Sequence, residues 1–176
     1  TITGTITLNS DVNISHNFTN NNTIDASSAS LNFTGSSPGV ITGSAASFAL
    51  AQFTILKSST TVTLSKNITN ILELDIESGT LDMGAQTLTQ DPGGDLTIAD
   101  NATLKIGGTS TLPTFDTYAL DTLSTVDYAG STQAVSSVTA YGNLTISTTG
   151  TKTASAILRI FNNFTLTNGT FVSGSF

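Results

Sequence analysis

Three aspartates lie close together in the middle of the sequence, around a turn that contains two glycines. They are Asp91, Asp95 and Asp100, and Asn101 follows the last of them. Carboxylate and carbonyl oxygens are the ligands that Ca²⁺ prefers, so these residues are a candidate calcium site. Asp and Asn also favour turns, and the segment has neither an EF-hand loop nor a Gly-Gly-x-Gly-x-Asp repeat. The alternative interpretation is a turn that holds no metal.

A second set of acids, Glu73, Asp75 and Glu77, alternates along a strand-like segment. Glycosidases need two carboxylates that flank the scissile bond, which makes these acids candidates for polysaccharide chemistry. Polysaccharide enzymes with a β-helix fold usually place basic residues beside such acids, and this chain has no basic cluster. The alternative interpretation is a strand face that is solvated by water.

The chain has one histidine, His16, and no cysteine. Without cysteine there is no disulfide, no thiolate metal site and no Cys nucleophile. A lone histidine that has no Ser-Asp or metal partner is most often a surface residue. We find no catalytic constellation, and we therefore predict a non-enzymatic protein with no cofactor other than the calcium hypothesis.

Pairs of the form Thr-x-Thr recur, and flat arrays of such pairs are an ice-binding device on other β-solenoids. Ice binding needs one pair in every coil, in register, whereas the spacing of these pairs is irregular. Thr is also favoured on exposed strand faces, which is the alternative interpretation. The pairs begin at Thr1, Thr5, Thr61, Thr87, Thr151 and Thr165.

The composition excludes several partners. The 176 residues include five basic and twelve acidic side chains, for a net charge of −7. Nucleic-acid binding requires clustered cations, and the basic residues here are scattered. No run of about 18 apolar residues exists that would cross a membrane. We therefore expect neither nucleic-acid binding nor membrane insertion. The basic residues are Lys57, Lys66, Lys105, Lys152 and Arg159.

The elements that must position these side chains are short strands. Apolar residues recur at i and i+2, Thr, Ile, Val and Phe dominate, and helical heptads are absent. The triplets return about every 22 residues, which is the length of one coil of a β-solenoid. The longest interval, from Leu96 to Val126, is predicted to contain a loop. The triplets begin at Ile6, Leu31, Phe53, Leu72, Leu96, Val126, Leu144 and Phe164.

The pattern predicts an all-β fold, a parallel β-helix of about eight coils of about 22 residues. A single coil cannot bury its inward face, so the coils must stack at about 4.8 Å and bury one another's apolar side chains. The residues predicted to form the core are Phe53, Ile55, Leu72, Leu74, Ile76, Leu144, Ile146, Phe164 and Leu166.

Residues 1–176 are predicted to form one domain that contains two diverged repeats of about 90 residues, at about 31–81 and 126–171. In this alignment Phe53 matches Leu144 and Gly79 matches Gly169. Strand-like patterns at both ends of the sequence, without a visible polar cap, lead us to expect that the solenoid continues in a longer chain or stacks on itself end to end.

The segments Val126–Gln133, Tyr141–Ile146, Gly150–Thr153 and Phe161–Phe171 resemble the repeats of large secreted surface proteins of Bacteroidota-type bacteria. The resemblance is good over about 126–171 and weaker over 31–81. Ala154–Ile160 departs from the usual repeat, which has a plainer strand that contains Gly or Asn at this place.

The resemblance implies a right-handed parallel β-helix in an exported adhesin, filament or cell-surface stalk, with no catalytic residues. We therefore expect a non-enzymatic, extracellular or cell-surface structural protein that self-associates or continues end to end. Its other partners would be glycans or a host or cell surface. The first alternative is a β-helix that binds or degrades polysaccharide, for which Tyr118, Tyr128 and Tyr141 are the available tyrosines. The second is an ice-binding solenoid.

Overall fold

The computed structural model describes residues 5–44, 48–137 and 139–174. Within these ranges all regular structure is β-strand, and no helix is long and apolar enough to span a membrane. The strands are β1 (Thr5–Thr7), β2 (Val12–Ile14), β3 (Phe18–Thr19), β4 (Thr23–Gly35), β5 (Gly39–Thr42), β6 (Phe48–Leu64), β7 (Ile68–Asp82), β8 (Leu88–Ile98), β9 (Thr103–Ile106), β10 (Thr117–Leu120), β11 (Thr125–Tyr128), β12 (Gln133–Val135), β13 (Asn143–Ile146), β14 (Thr151–Ala154), β15 (Phe164–Leu166) and β16 (Thr170–Val172).

The chain is a parallel β-solenoid of about seven turns of about 22 residues, against about eight coils predicted. Every strand pair is parallel, and each strand pairs with the strand one turn before or after it. The long strands β4, β6 and β7 bend around corners, so a single 13-stranded sheet wraps the coil. A second sheet, in the order β12-β14-β16, covers one side of the last turns.

Strand pairing divides the coil into three faces. We number them in the order in which the chain crosses them from β2 onward, so that β1 lies on face 3. Face 1 is the ladder whose inward residues are Val12, Leu31, Phe53, Leu74, Leu96 and Tyr118. Face 2 is the ladder whose inward residues include Val62, Leu81, Leu104, Val126, Leu144 and Phe164. Face 3 begins with Ile6, Ile24 and Phe48 and ends with Gln133, Lys152 and Phe171.

The core is the column of apolar side chains inside the three faces. Alternate residues of each strand point inward, so a residue at i and another at i+2 enter the core together. Phe33 and Phe53 stack on successive turns with ring centroids 6.0 Å apart, edge to face. Six of the nine predicted core residues have no exposed surface: Phe53, Ile55, Leu74, Ile76, Leu144 and Ile146.

Leu72 was predicted to be in the core, and this prediction was wrong. Its side chain is 38% exposed, whereas the neighbouring Ile71 is fully buried. The pairing of β7 shifts register between Ile71 and Glu73, at the corner between face 3 and face 1. Two consecutive residues, Leu72 and Glu73, therefore face outward, and the alternation that begins at Leu74 belongs to a different face from Ile71.

Phe164 and Leu166 pair with Leu144 and Ile146, so they occupy inward positions as expected. They are nevertheless 44% and 48% exposed. Each turn buries the turn before it, and within the described residues no further turn covers this last rung. The prediction of buried side chains was therefore wrong for these two residues.

The predicted loop between Leu96 and Val126 has a different explanation. Strand β10 lies inside the interval and pairs with β8, with Tyr118 opposite Leu96 on face 1. Val126 instead belongs to face 2, opposite Leu104. The series of triplets begins on face 3 at Ile6, lies on face 1 from Leu31 to Leu96 and lies on face 2 from Val126 onward. The long interval is this change from face 1 to face 2 together with a non-strand corner at residues 107–116.

The same change of face separates the two segments matched as repeats. Phe53 pairs with Leu31 and Leu74 on face 1. Leu144 pairs with Val126 and Phe164 on face 2. The 91-residue offset therefore links different faces of the solenoid rather than equivalent positions after a whole number of turns.

Candidate functional surface

Two of the three aspartates of the calcium hypothesis bond to different residues of the next turn, and the third, Asp91, is exposed in β8. A carboxylate oxygen of Asp95 accepts a hydrogen bond from the Thr117 hydroxyl on the next turn. Asp100 Oδ1 accepts from the Leu123 amide at 2.9 Å, also one turn later. Within the described ranges no group of three or more His, Asp or Glu side chains is arranged to hold a metal ion. Asp95 and Asp100 therefore join turns, and the calcium hypothesis gains no support from their geometry.

The acids Glu73, Asp75 and Asp95 lie on the outer side of face 1. Glu73 is opposite Asp95 on the next turn, and Asp75 accepts a hydrogen bond from the Gln52 amide on the previous one. The five basic residues lie elsewhere. Lys57, Lys66 and Lys152 are buried, with Lys66 over the Phe48 ring, while Lys105 is on face 2 and Arg159 is in the last turn. Among the described residues, the outer side of face 1 carries these acids without a basic side chain beside them.

The tyrosines do not form a binding platform. Tyr128 and Tyr141 have no exposed surface, and their hydroxyl groups lie 3.0 Å apart inside the solenoid. Burial raises the pKa of both groups. Tyr118 is partly buried, and its hydroxyl group donates to the Pro113 carbonyl. His16, the single histidine, is exposed between β2 and β3.

The Thr-x-Thr pairs are not stacked as pairs. Thr61 is followed on face 2 by Thr80, Thr103 and Thr125, which form one threonine column. The adjacent column, which starts at Thr63, continues with charged residues. The pairs at Thr5, Thr87 and Thr151 lie on face 3, and the pair at Thr165 lies on face 2, two turns beyond this charged column. The pair at Thr1 lies outside the described residues. A flat array of two threonine columns is therefore not formed on face 2.

The charged column beside these threonines is Asp82, Lys105 and Asp127, on three successive turns. Lys105 Nζ lies 2.9 Å from Asp82 Oδ2, and Ser147 Oγ donates to Asp127 Oδ2 at 2.9 Å. Asp127 Oδ1 is buried, and none of the residues that the structure describes donates a hydrogen bond to it. Desolvation raises the pKa of Asp127, opposed by the Ser147 hydrogen bond and the positive charge of Lys105.

Two lysines that look like surface charges in the sequence are fully buried. Lys57 Nζ donates to the carbonyl oxygens of Thr34 at 2.7 Å and Ser15 at 2.9 Å, one and two turns away. Burial lowers the pKa of Lys57. Ammonium groups need several acceptors when they leave water, and backbone carbonyls at the corners supply them. Lys57 therefore joins three turns from inside the coil.

Lys152 is enclosed more completely. Four backbone carbonyl oxygens and one hydroxyl oxygen lie 2.6 to 3.3 Å from its ammonium nitrogen and share its three N–H donors. Its neighbour in the ladder, Gln133, makes a similar set of bonds to the Gly130 amide and the Ile106 and Ser110 carbonyls. Sequence reasoning missed both residues, although the alternation with Ala154 would place Lys152 inward.

The last turn presents an apolar hollow of about 360 Å³. The edges of β15 and β16 beside it carry no further strand within the described residues. Ile157 is 73% exposed and Phe161 is 67% exposed. The residues that line the hollow are Ala154, Ala156, Ile157, Leu158, Ile160, Phe164, Phe171 and Ser173.

The candidate functional features of the described residues are the buried lysines Lys57 and Lys152, the outer faces of the solenoid and the apolar hollow at the last turn. Comparison of the chain with protein-family models, with curated proteins and with solved structures finds no match.

Proposed function

We propose that this chain is a non-enzymatic structural protein, a stiff solenoid segment of an extracellular surface adhesin or a subunit of an extracellular filament. Its work is mechanical: it holds other surfaces at a distance and at a fixed orientation. In this proposal the solenoid is right-handed, as in the bacterial surface proteins that the sequence resembles, and lies outside the cell.

The observation that carries the proposal is the unbroken inward column through about seven turns. On face 1 it runs from Val12 to Tyr118, and on face 2 it runs on to Phe164. Every turn contacts its neighbours through hydrogen bonds between parallel strands and through apolar side chains. Bending the rod would break these hydrogen bonds and apolar contacts. At a strand spacing of about 4.8 Å, seven turns span about 34 Å.

The outer surface supports the same proposal. Its columns are mostly hydroxyl and amide groups, such as Thr61, Thr80, Thr103 and Thr125 on face 2. Amide groups also bond from turn to turn on the outside, as in Asn32 to Asn13 at 3.1 Å and Asn162 to Asn143 at 3.0 Å. Such a surface is well hydrated and has few features that would hold a substrate.

The experiment is electron microscopy of the purified chain, with averaging of any fibre that forms. We expect thin particles of uniform width, whose averaged images show an axial repeat of about 4.8 Å. Compact particles without that repeat would overturn the proposal of a rod. Release of reducing sugar from polysaccharides by the purified chain would overturn the non-enzymatic part.

A further inference from the structure

Neighbouring turns of the solenoid are not all joined on three faces. From β1 to β9, each turn pairs with the next on faces 1, 2 and 3. Among the described residues, the turn at 107–128 pairs with the turn before it on faces 1 and 2 and with the next turn, at 129–146, on face 2 alone. Pairing then returns to all three faces. We call the interface between residues 107–128 and residues 129–146 the joint.

The joint lacks ladders because two segments leave the strand conformation. Residues 107–116 cross face 3 without a strand, so β12 begins a separate sheet and does not extend the ladder of β8. On face 1, the described residues between β12 and Tyr141 are not in strands either. Backbone bonds across the joint flank the face 2 ladder, from the Ser131 amide to the Gly108 carbonyl and from the Asn143 amide to the Ser124 carbonyl. Face 2 is therefore the side on which the backbone holds the joint together.

Side chains replace the missing ladders, and the three tyrosines of the chain all lie at this place. Tyr128 belongs to the turn before the joint, whereas Ser136 and Tyr141 belong to the turn after it. The Tyr128 hydroxyl accepts from the Ser136 amide at 3.1 Å, and the Tyr141 hydroxyl donates to the Ser136 carbonyl at 2.6 Å. The two hydroxyl oxygens lie 3.0 Å apart. Since Ser136 follows β12 at the corner between faces 3 and 1, these bonds close the joint opposite face 2.

Face 3 shows the same substitution of side chains for backbone pairing. Thr111 Oγ1 donates to the Ala134 carbonyl at 2.7 Å, and Gln133 Nε2 donates to the Ser110 carbonyl at 2.8 Å. A few side-chain bonds thus stand where the other turns have continuous parallel ladders. Regions held by fewer backbone hydrogen bonds open at a lower free energy than the rest of a structure.

We propose that the joint is a hinge in the rod, in which residues 5–128 and residues 129–174 rotate about the face 2 ladder and the Tyr128–Ser136–Tyr141 bonds hold the hinge closed. The ladder of β11 and β13 stays intact in this motion, so the joint opens on faces 1 and 3 and the rod bends toward face 2. The inference rests on the proposed structural function, because it states where a rod that holds surfaces apart opens first.

The test measures distances between pairs of nitroxide spin labels by double electron–electron resonance. The chain has no cysteine, so labels attach only to cysteines that are introduced. Glu73→Cys with Arg159→Cys labels face 1 on both sides of the joint. Thr80→Cys with Asn163→Cys labels face 2 on both sides of it. We expect the distance distribution of the face 1 pair to be about twice as wide as that of the face 2 pair.

The matched control is a face 1 pair that does not span the joint. Asn13→Cys and Thr97→Cys are separated by four paired rungs of face 1. All turns between them pair on three faces, so their distance distribution should be as narrow as that of the face 2 pair. These measurements use the parent tyrosines and test the hinge without any change at the joint.

Tyr141→Phe then tests the bonds that hold the hinge closed. It removes the donor to the Ser136 carbonyl, and we expect the longer distances of the face 1 pair to become about tenfold more populated. Tyr118→Phe is the control, because the Tyr118 hydroxyl bonds to the Phe115 amide and the Pro113 carbonyl within its own turn. It should leave the distribution unchanged. Circular dichroism verifies that both variants are folded.

Equal widths for the face 1 pair across the joint and the control pair would overturn the hinge. Equal broadening on faces 1 and 2 would overturn the assignment of face 2 as its axis. An effect of Tyr141→Phe no larger than that of Tyr118→Phe would overturn the role of the tyrosines. These failures are distinct from failure of the proposed function, because a rod without a hinge still shows the axial repeat of about 4.8 Å.

Discussion

The ammonium group of Lys152 lies 2.6 Å from the carbonyl oxygen of Gly130, a residue of the preceding turn. The same group also bonds to the carbonyl oxygens of Thr148 and Thr149 at the adjacent corner. Burial lowers the pKa of Lys152, opposed by the negative charge of Asp127. The cost of burying the charge is offset by these hydrogen bonds to backbone carbonyl oxygens.

Lys152→Met removes the charge and keeps most of the volume. We expect the free energy of unfolding to fall by about 1–3 kcal/mol, because buried carbonyl oxygens lose their donor. Urea denaturation measures the change. The control is Lys105→Met, which removes a lysine that is 42% exposed and should cost less than about 1 kcal/mol. Equal losses in the two variants would contradict the buried role of Lys152.

The core can be tested with two leucines that are two residues apart. Leu74→Ala removes a fully buried side chain and should cost about 2–5 kcal/mol, since it leaves a cavity between stacked turns. Leu72→Ala removes a side chain at the exposed corner and should cost well under half as much. Thermal unfolding of both variants measures the difference. Similar thermal midpoints for the two variants would contradict the placement of Leu72 at an exposed corner.

The pH dependence of stability tests Asp127. Its pKa is raised in the folded chain, so the folded state binds more protons than the unfolded state between the ordinary value of 3.8 and the raised pKa. Stability must therefore fall as pH rises through this window, and the loss persists above it. Asp127→Asn should remove this fall and be more stable than the parent at neutral pH. The comparison is made by measuring the urea midpoint of unfolding of both proteins from pH 4 to 7. If the midpoint of the variant fell with pH as much as that of the parent, the prediction would be contradicted.

The strand character and the 22-residue period could be predicted because both are local properties of the chain. The alternation in Leu74–Ile76 and Leu144–Ile146 depends on the two-residue repeat of a strand, and the return of such segments at regular intervals indicates stacking. The composition also excluded cysteine chemistry and a cationic binding surface, since those depend only on which residues are present.

The remaining features depend on where the corners fall. Leu72 faces outward because β7 turns from face 3 to face 1 just beside it. Val126 continues face 2 rather than the face 1 series that ends at Tyr118, and the spacing along the chain does not reveal that change.

The sequence by itself determined that the chain forms parallel strands of a solenoid, because alternation and period follow from the residues along one coil. Only the tertiary structure decided which faces meet, that Lys152 lies inside and that Leu72 lies at an exposed corner. Those properties follow from the turns above and below each residue, whose carbonyls, side chains and edges are about 20 residues away in the chain.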